Sequence, residues 1–413
     1  MKGKLMSIGW GLAGMLLAEL PAFSAESAAP IMAATGTLRF INTAFENASP
    51  LNWEIDAEGR ILISLIYDHE RSSPNRANGH WFFQVEAEPG ASLTILLQNF
   101  DNIWNGRWGS PVSDRTNVYL SADAKEWTIL PAQKTKDNRI HFTMRMESDK
   151  VFVARMPPYR LSDLEKLKKE IASNPLVEIT PIGRTVEGRE LEIIRAGKPD
   201  APFRVLIRAR AHPWEAGGNW VVEGFLRQLL KDDEAGRRCR ERYCAYIMPM
   251  ANKDGVARGY TRFNVLGMDL NRKWDIPADP RAPENQALEA WLGRMIAQGQ
   301  RPHLAIDLHN DNGGNIHVSR PDSPNAEAYL ANMEHYEKLM RKYTWFTEGS
   351  TGKDFRNPGS FGEGLLERFG VNALVQELNC DWIAGLNKAP EAKDWELLGA
   401  QYCEVFYRYF GEE

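Results

Sequence analysis

Cysteine is scarce in this chain, with four in 413 residues: Cys239, Cys244, Cys380 and Cys403. Their spacing excludes a Cys₄ zinc site. Cys239 and Cys244 are near enough in sequence to close a small loop, so buried thiols and one disulfide are equal expectations. Histidine is almost as sparse, with eight, so a metal site has few residues to recruit. Positive charge is not in excess: 50 Lys and Arg stand against 55 Asp and Glu, a net charge of -5. That gives no electrostatic footprint for nucleic acid, and none is expected as a partner. Repeats and low-complexity tracts are missing beyond the N-terminal segment. Long apolar runs are missing too, apart from residues 5–18, which are too few to span a bilayer comfortably.

That one run carries meaning. Lys2 and Lys4 precede it, and Pro21 to Ala25 follows with small residues. Charge, apolar stretch and small residues in this order predict a secretory signal over 1–25, cut after Ser24, Ala25 or Ser27. No cysteine stands near the cut, which excludes a lipid-anchored one. The mature chain is expected outside the cytosol, with no stable membrane insertion after cleavage; an uncleaved anchor is the alternative.

The rest has an ordinary soluble composition, 43% hydrophobic and 25% charged, and is long enough for two domains. Over 36–158, short strands such as Ile61 to Tyr67, Trp81 to Val85 and Leu93 to Leu97 alternate with turn clusters. This predicts an antiparallel β-sandwich. His69, His80 and His141 lie here singly and read as packing or surface residues. Trp104 and Trp108 offer a carbohydrate-binding alternative for the sandwich. Pro157-Pro158 breaks the pattern, and 159–413 changes texture. Helices at Leu161 to Ile171, Gly218 to Leu230, Glu284 to Ile296, Asn325 to Tyr343 and Lys393 to Phe410 alternate with strands. Those strands are Phe203 to Arg208, Ala245 to Met250, Leu304 to Leu308 and Ala373 to Gln376. The alternation predicts an α/β fold with a mixed, largely parallel sheet flanked by helices. Ligands then bind beyond the carboxyl ends of the strands, where His212, Asn252, His309 and Glu377 fall.

His212-Pro213-Trp214-Glu215 closely follows the first of these strands. A chance H-x-x-E is common, but here a helix entry follows it, so both side chains would face the strand-end crevice. A third ligand must come from His303, His309, His317 or His335. His309 ends an apolar strand at the same edge, whereas His303 opens that strand and should face the other end. Asp269-Leu270-Asn271-Arg272 supplies a carboxylate to orient a ligating imidazole, and an amide with a guanidinium suited to a carboxylate ligand. Arg262 offers a cation for a developing oxyanion. Glu377, at the end of an apolar strand, suits a general base and acid.

In this order, His212-x-x-Glu215, Asn252-x-Asp254-Gly255, Asp269 to Arg272, Asp307-Leu308-His309 and Glu377 resemble the M14 zinc metallocarboxypeptidases. Ile182 to Arg189 is similar to that family as well, and the likeness runs from about Glu178 to Phe410. The linker-like stretch Val151 to Leu164 resembles the cytosolic carboxypeptidase-like subfamily, in which a β-sandwich precedes the catalytic domain. The resemblance implies one zinc ion on His212, Glu215 and His309, the ligand set of carboxypeptidase A. It implies Glu377 as general base, Asn271 and Arg272 as carboxylate clamp, and Arg262 rather than Arg258 at the oxyanion. Two features depart from it. Asn310 to Gly314 replaces a basic segment, and no Tyr lies between Tyr343 and Glu377, which leaves Phe361 as a stand-in for the family's mobile Tyr. A secreted, periplasmic zinc exopeptidase acting on the C-terminus of a peptide or protein is the resulting expectation. The alternatives are hydrolysis of peptidoglycan stem peptides and a non-catalytic binding protein. The specificity pocket is expected to draw on Thr344 to Leu366, with Lys353, Arg356 and Glu363. The sequence leaves the oligomeric state open.

Overall fold

The computed structural model describes residues 37–68, 76–104, 107–318, 320, 324–352 and 354–411. The predicted signal over 1–25, His69 and Lys353 lie outside the described residues. No helix among those described is long and apolar enough to cross a membrane.

Two five-stranded sheets form the N-terminal sandwich. One orders the strands Leu38–Asn42, Phe82–Ala87, Lys150–Ala154, Asn117–Ser121 and Thr128–Pro131; the other orders Gln133–Lys134, Ile140–Arg145, Ser92–Gln98, Ile61–Leu65 and Leu51–Ile55. Inward and outward residues alternate along Ile61–Leu65 and Ile140–Arg145, as a half-buried strand requires. Ile63, Phe83, Ile95, Leu97 and Val153 meet between the sheets. One pairing departs from the antiparallel expectation: Ile61–Leu65 runs parallel to Ser92–Gln98. Between these two strands the chain crosses to the opposite sheet for Phe82–Ala87, so it returns in the same direction.

A seven-stranded sheet follows, in the order Val177–Arg184, Glu190–Ala196, Tyr243–Met248, Phe203–Ala209, Leu304–Asp311, Asn372–Asn379 and Asn315–His317. The central strands, from Tyr243–Met248 through Asn372–Asn379, are mutually parallel; the flanking pairs are antiparallel. Tyr243–Met248 is buried along its whole length, because helices cover both faces of such a sheet. On one side Gly217–Leu230 crosses Ala392–Tyr409 at very close range. A Cβ on Gly224 would stand 1.9 Å from the Glu396 carbonyl, and one on Gly399 1.9 Å from that of Val221. Only glycine permits that approach.

All four cysteines are free and buried, which removes the disulfide alternative. The strands bearing His309 and Glu377 also run further than apolar patterning suggested, to Asp311 and Asn379. The two strands pair side by side there, with His309 opposite Glu377. Polar residues continue the ladder because neighbouring strands satisfy their backbone.

Candidate metal centre and substrate cleft

The strand Phe203–Ala209 ends at Arg210, which adopts a left-handed backbone conformation with φ 63°. Its buried guanidinium holds the turn, bonding the Pro213 carbonyl at 2.6 Å and Asn219 Oδ1 at 3.1 Å. This bend redirects the chain and brings His212 and Glu215 under the strand ends. The following helix docks by Gly217, whose N–H donates to Asn310 Oδ1 at 2.9 Å. A Cβ there would sit 2.7 Å from the Asn310 amide. The glycine thus lets Glu215 approach the residue after His309.

The structure brings His212, Glu215 and His309 together, with one ligating atom from each inside a mutual spacing of 4.8 Å. Glu215 stands between the imidazoles, 2.8 Å from His212 Nδ1 and 2.7 Å from His309 Nδ1. The two Nδ1 atoms are 3.1 Å apart. Each opposite nitrogen faces a carboxylate: His212 Nε2 meets Asp269 Oδ1 at 3.1 Å, and His309 Nε2 meets Asp307 Oδ2 at 2.8 Å. Donating at Nε2 leaves both Nδ1 lone pairs aimed at one point beside the Glu215 carboxylate. Three acceptors converging in a buried pocket fit a divalent cation. Burial works to raise Glu215, but His212 and His309 hold it down at about 2. Burial likewise opposes the shift of His309, yet Asp307 and Glu215 raise it well above its ordinary value.

Behind the histidines run two chains of charge. Asp269 takes Arg262 Nε at 2.8 Å on its second oxygen. Asp307 is gripped by Arg208 through Nε at 2.8 Å and through Nη2. Despite burial, Arg262 and His212 hold Asp269 well below the carboxylate range. Arg208 and His309 do the same for Asp307.

These groups open on a cavity of about 410 Å³, within the usual range for small-ligand sites. Arg262, Asn271, Arg272, Asn310, Asp311, His317 and Glu377 line it with His212 and Glu215. The sandwich contributes to its wall through Ala77, Asn102, Ser110 and Pro111. Glu377 has His317 Nε2 at 3.6 Å. Asn271 spends its side-chain oxygen on the Phe361 N–H at 2.9 Å. Arg272 donates to the Asn271 carbonyl at 2.8 Å and has no carboxylate partner among the described residues; burial lowers its pKa. Arg258 is turned away, bonding Glu187 at 2.6 Å.

Several sequence expectations change here. Phe361 does not reach the cavity: it is fully buried against Trp274, ring centroids 5.1 Å apart, because the helix it opens packs its apolar face inward. Arg356 and Glu363 face each other at 2.5 Å rather than lining a specificity pocket; Asn357 from that segment does line the cavity. His303 lies at the far end of the sheet, against Phe203 and Phe410. His80 is packed, with Nε2 3.0 Å from the Asn47 carbonyl. Trp108 is exposed under Arg76, and the Trp104 side chain lies outside the described residues. Sequence reasoning missed the roles of Arg208 and Asp307. The two-residue period of a strand was the available signal, since it sets Asp307 and His309 on one face. Nothing in the pattern marked Asp68, discussed below.

Residues 162–315 match the family model described as zinc carboxypeptidase, Peptidase_M14. Over 327 residues the chain is 26% identical to an uncharacterized protein of Zymomonas mobilis, covering 77% of this chain and 80% of that one. It is 35% identical over 135 residues to cytosolic carboxypeptidase 4 of Homo sapiens, covering 33% of this chain and 12% of the relative. With cytosolic carboxypeptidase 6 of Caenorhabditis elegans it shares 29% over 231 residues, 54% of this chain and 47% of the relative. The chain therefore spans less than half of these named carboxypeptidases. The fold matches a metallo-carboxypeptidase from Burkholderia cenocepacia with TM-score 0.79 at 19% identity, over 90% of this chain and 99% of that one. It also matches one from Pseudomonas aeruginosa in complex with (2-guanidinoethylmercapto)succinic acid, TM-score 0.76 at 22% identity, over 90% and 98%. Residues 162–315 are thus similar to the M14 zinc carboxypeptidase domain, and the fold is that of the bacterial metallo-carboxypeptidases.

Proposed function

We propose that this protein is a zinc-dependent exopeptidase that removes the C-terminal residue of a peptide or protein. The observation that carries this reading is Arg272: a half-buried cation with no ion-pair partner among the described residues, lining the same cavity as His212 and Glu215. A substrate's terminal carboxylate supplies the missing charge, and Asn271 beside it adds an amide donor. His212, Glu215 and His309 would hold one zinc ion. When bound, zinc supplies Lewis-acid chemistry, polarising a carbonyl and making water more acidic. Asp269 and Asp307 fix the ring orientation and tautomer of the two histidines. Glu377 takes a proton from the attacking water and returns it to the departing amine. Arg262 holds the oxygen on which negative charge develops. Together these groups hold the scissile bond one residue from the carboxylate clamp, which gives exopeptidase rather than endopeptidase action.

Arg272→Ala tests the clamp. It should cost about 2 kcal/mol or more in kcat/KM on free-acid peptides and leave C-terminal amides unaffected. Equal discrimination between acid and amide in both proteins would reject it. We further place the enzyme outside the cytosol, on the sequence order of 2–25; peptidase activity confined to the cytosolic fraction of cells expressing the full chain would overturn that placement.

A further inference from the structure

The loop that carries Arg262 is held from outside the α/β domain. Asp68, just beyond the sandwich strand Ile61–Leu65, is buried at 6% exposure. Its carboxylate accepts three consecutive backbone N–H groups: Thr261 at 2.8 Å, Arg262, and Phe263 at 3.0 Å. It forms no ion pair with a side chain among the described residues, and the Arg262 guanidinium acts on it electrostatically. Burial pushes Asp68 up to about 6 despite the three donors. Burying a carboxylate merely to close a turn is costly, since a neutral acceptor would serve. A charge here does more, because it draws the Arg262 backbone and its cation to one place.

Other contacts show the same grip. Thr261 Oγ1 accepts the N–H of Gly79 at 3.0 Å and of His80 at 3.2 Å. Asn47 Nδ2 donates to the Val256 carbonyl at 2.9 Å. Gly259, at φ 65°, passes so close that a Cβ would stand 2.0 Å from the Ala48 carbonyl. The guanidinium end is fixed separately by Asp269. Arg262 is thus held by its backbone from the sandwich and by its head group from the α/β domain.

We propose that Asp68 is a positioning residue for Arg262, fixing 261–263 so that the guanidinium stays aimed into the cleft. The sandwich is then part of the catalytic machinery as well as a wall of the cavity. What Arg262 does there rests on the carboxypeptidase reading; how it is held does not. A double-mutant cycle in the full chain tests the catalytic part. Asp68→Asn should lower kcat about 10- to 100-fold, the cost of a small misplacement, with KM within about twofold. In an Arg262→Ala background the same change should alter kcat by less than about twofold, because the group it positions is gone. Equal kcat losses in both backgrounds, or a shift confined to KM, would overturn the proposal. Backbone hydrogen exchange supplies a readout independent of turnover. Amides of 261–263 should lose protection in Asp68→Asn while those of Leu304–Asp311 keep it; unchanged protection at 261–263 overturns the proposal whatever the activity. If wild type releases no C-terminal residue but this protection is lost, the functional reading fails and the anchoring stands. Should Asp68→Asn not fold, Asp68→Glu, which keeps the charge and displaces it by one methylene, reads the same cycle.

Discussion

Two arms of charge converge on the candidate metal centre and end differently. His309, Asp307 and Arg208 form an inner arm that is fully buried. Its guanidinium stacks over Phe361 at 4.3 Å and Trp274 at 5.0 Å. His212, Asp269 and Arg262 form an outer arm whose arginine, 17% exposed, reaches the cavity. The chemistry of each link is the same: imidazole to carboxylate to guanidinium. The inner cation can only support structure, whereas the outer cation can also meet a substrate. Under the proposed function, one motif orients a ligand on both sides and gains a second use where it borders the cleft.

The largest effect should come from Glu377, which lines the same cavity as Arg262. Glu377→Gln should lower kcat by about 10²- to 10⁴-fold while zinc content, read by elemental analysis, stays at one per chain. Retained turnover would remove the general base and leave the arms without a partner. Next is the inner arm. Asp307→Ala leaves the Arg208 guanidinium buried without its anion and should cost about 3–5 kcal/mol of unfolding free energy, measured by denaturant titration. If stability barely moves, the inner arm is not structural and the contrast fails. The outer arm should respond the other way. Asp269→Asn should weaken zinc binding by about 10- to 100-fold in a chelator competition and lower kcat, with a small change in stability.

The smallest expected effect links the arms through Glu284. It bonds Asn264 Nδ2, on the outer-arm loop, at 3.1 Å. Its neighbour Asn285 touches Arg208 of the inner arm at 3.4 Å. Burial raises Glu284 to about 7 from an ordinary 4.5. The native state then holds a proton that the unfolded chain releases, so its contribution is full below about pH 4.5 and is lost as pH rises through about 7. The melting temperature should fall by a few degrees between pH 5 and pH 8, and Glu284→Gln should flatten that slope. A slope unchanged by the substitution would assign the pH dependence to other groups.

The arms also show what a sequence can disclose. His212, Glu215, Asp269, Asn271, Arg272, His309 and Glu377 were legible because each stands beside a strand end or in a short polar motif, so local pattern was enough to single it out. The helix Leu161–Ile171 was legible to the residue, since its apolar spacing and its stop are local as well. The pairing of Asp307 with Arg208 was not, because the two sit 99 positions apart and meet only when neighbouring strands align. Asp68 is further removed, 193 positions from Thr261, in a segment that reads as the end of an ordinary sandwich strand. The hairpin Val177–Arg184 with Glu190–Ala196 was also missed as strands. Its outer strand is largely exposed, so it lacks a buried-strand pattern. Asp254 fastens its turn, accepting from Thr185 Oγ1 at 2.7 Å and the Glu187 N–H at 2.8 Å. That contact gives two of the family-like motifs a shared structural purpose that neither shows alone.

The central claim is that His212, Glu215 and His309 form a zinc centre that serves C-terminal cleavage. Release of free amino acids from a library of unblocked peptides, followed by mass spectrometry for the zinc-loaded full chain, tests it most directly. A chelator and zinc re-addition provide the control. The account predicts peptides shortened by one residue from the C-terminus, abolished by the chelator and restored by zinc. Absence of any shortened peptide with fully zinc-loaded protein, or cleavage indifferent to the chelator, would contradict it.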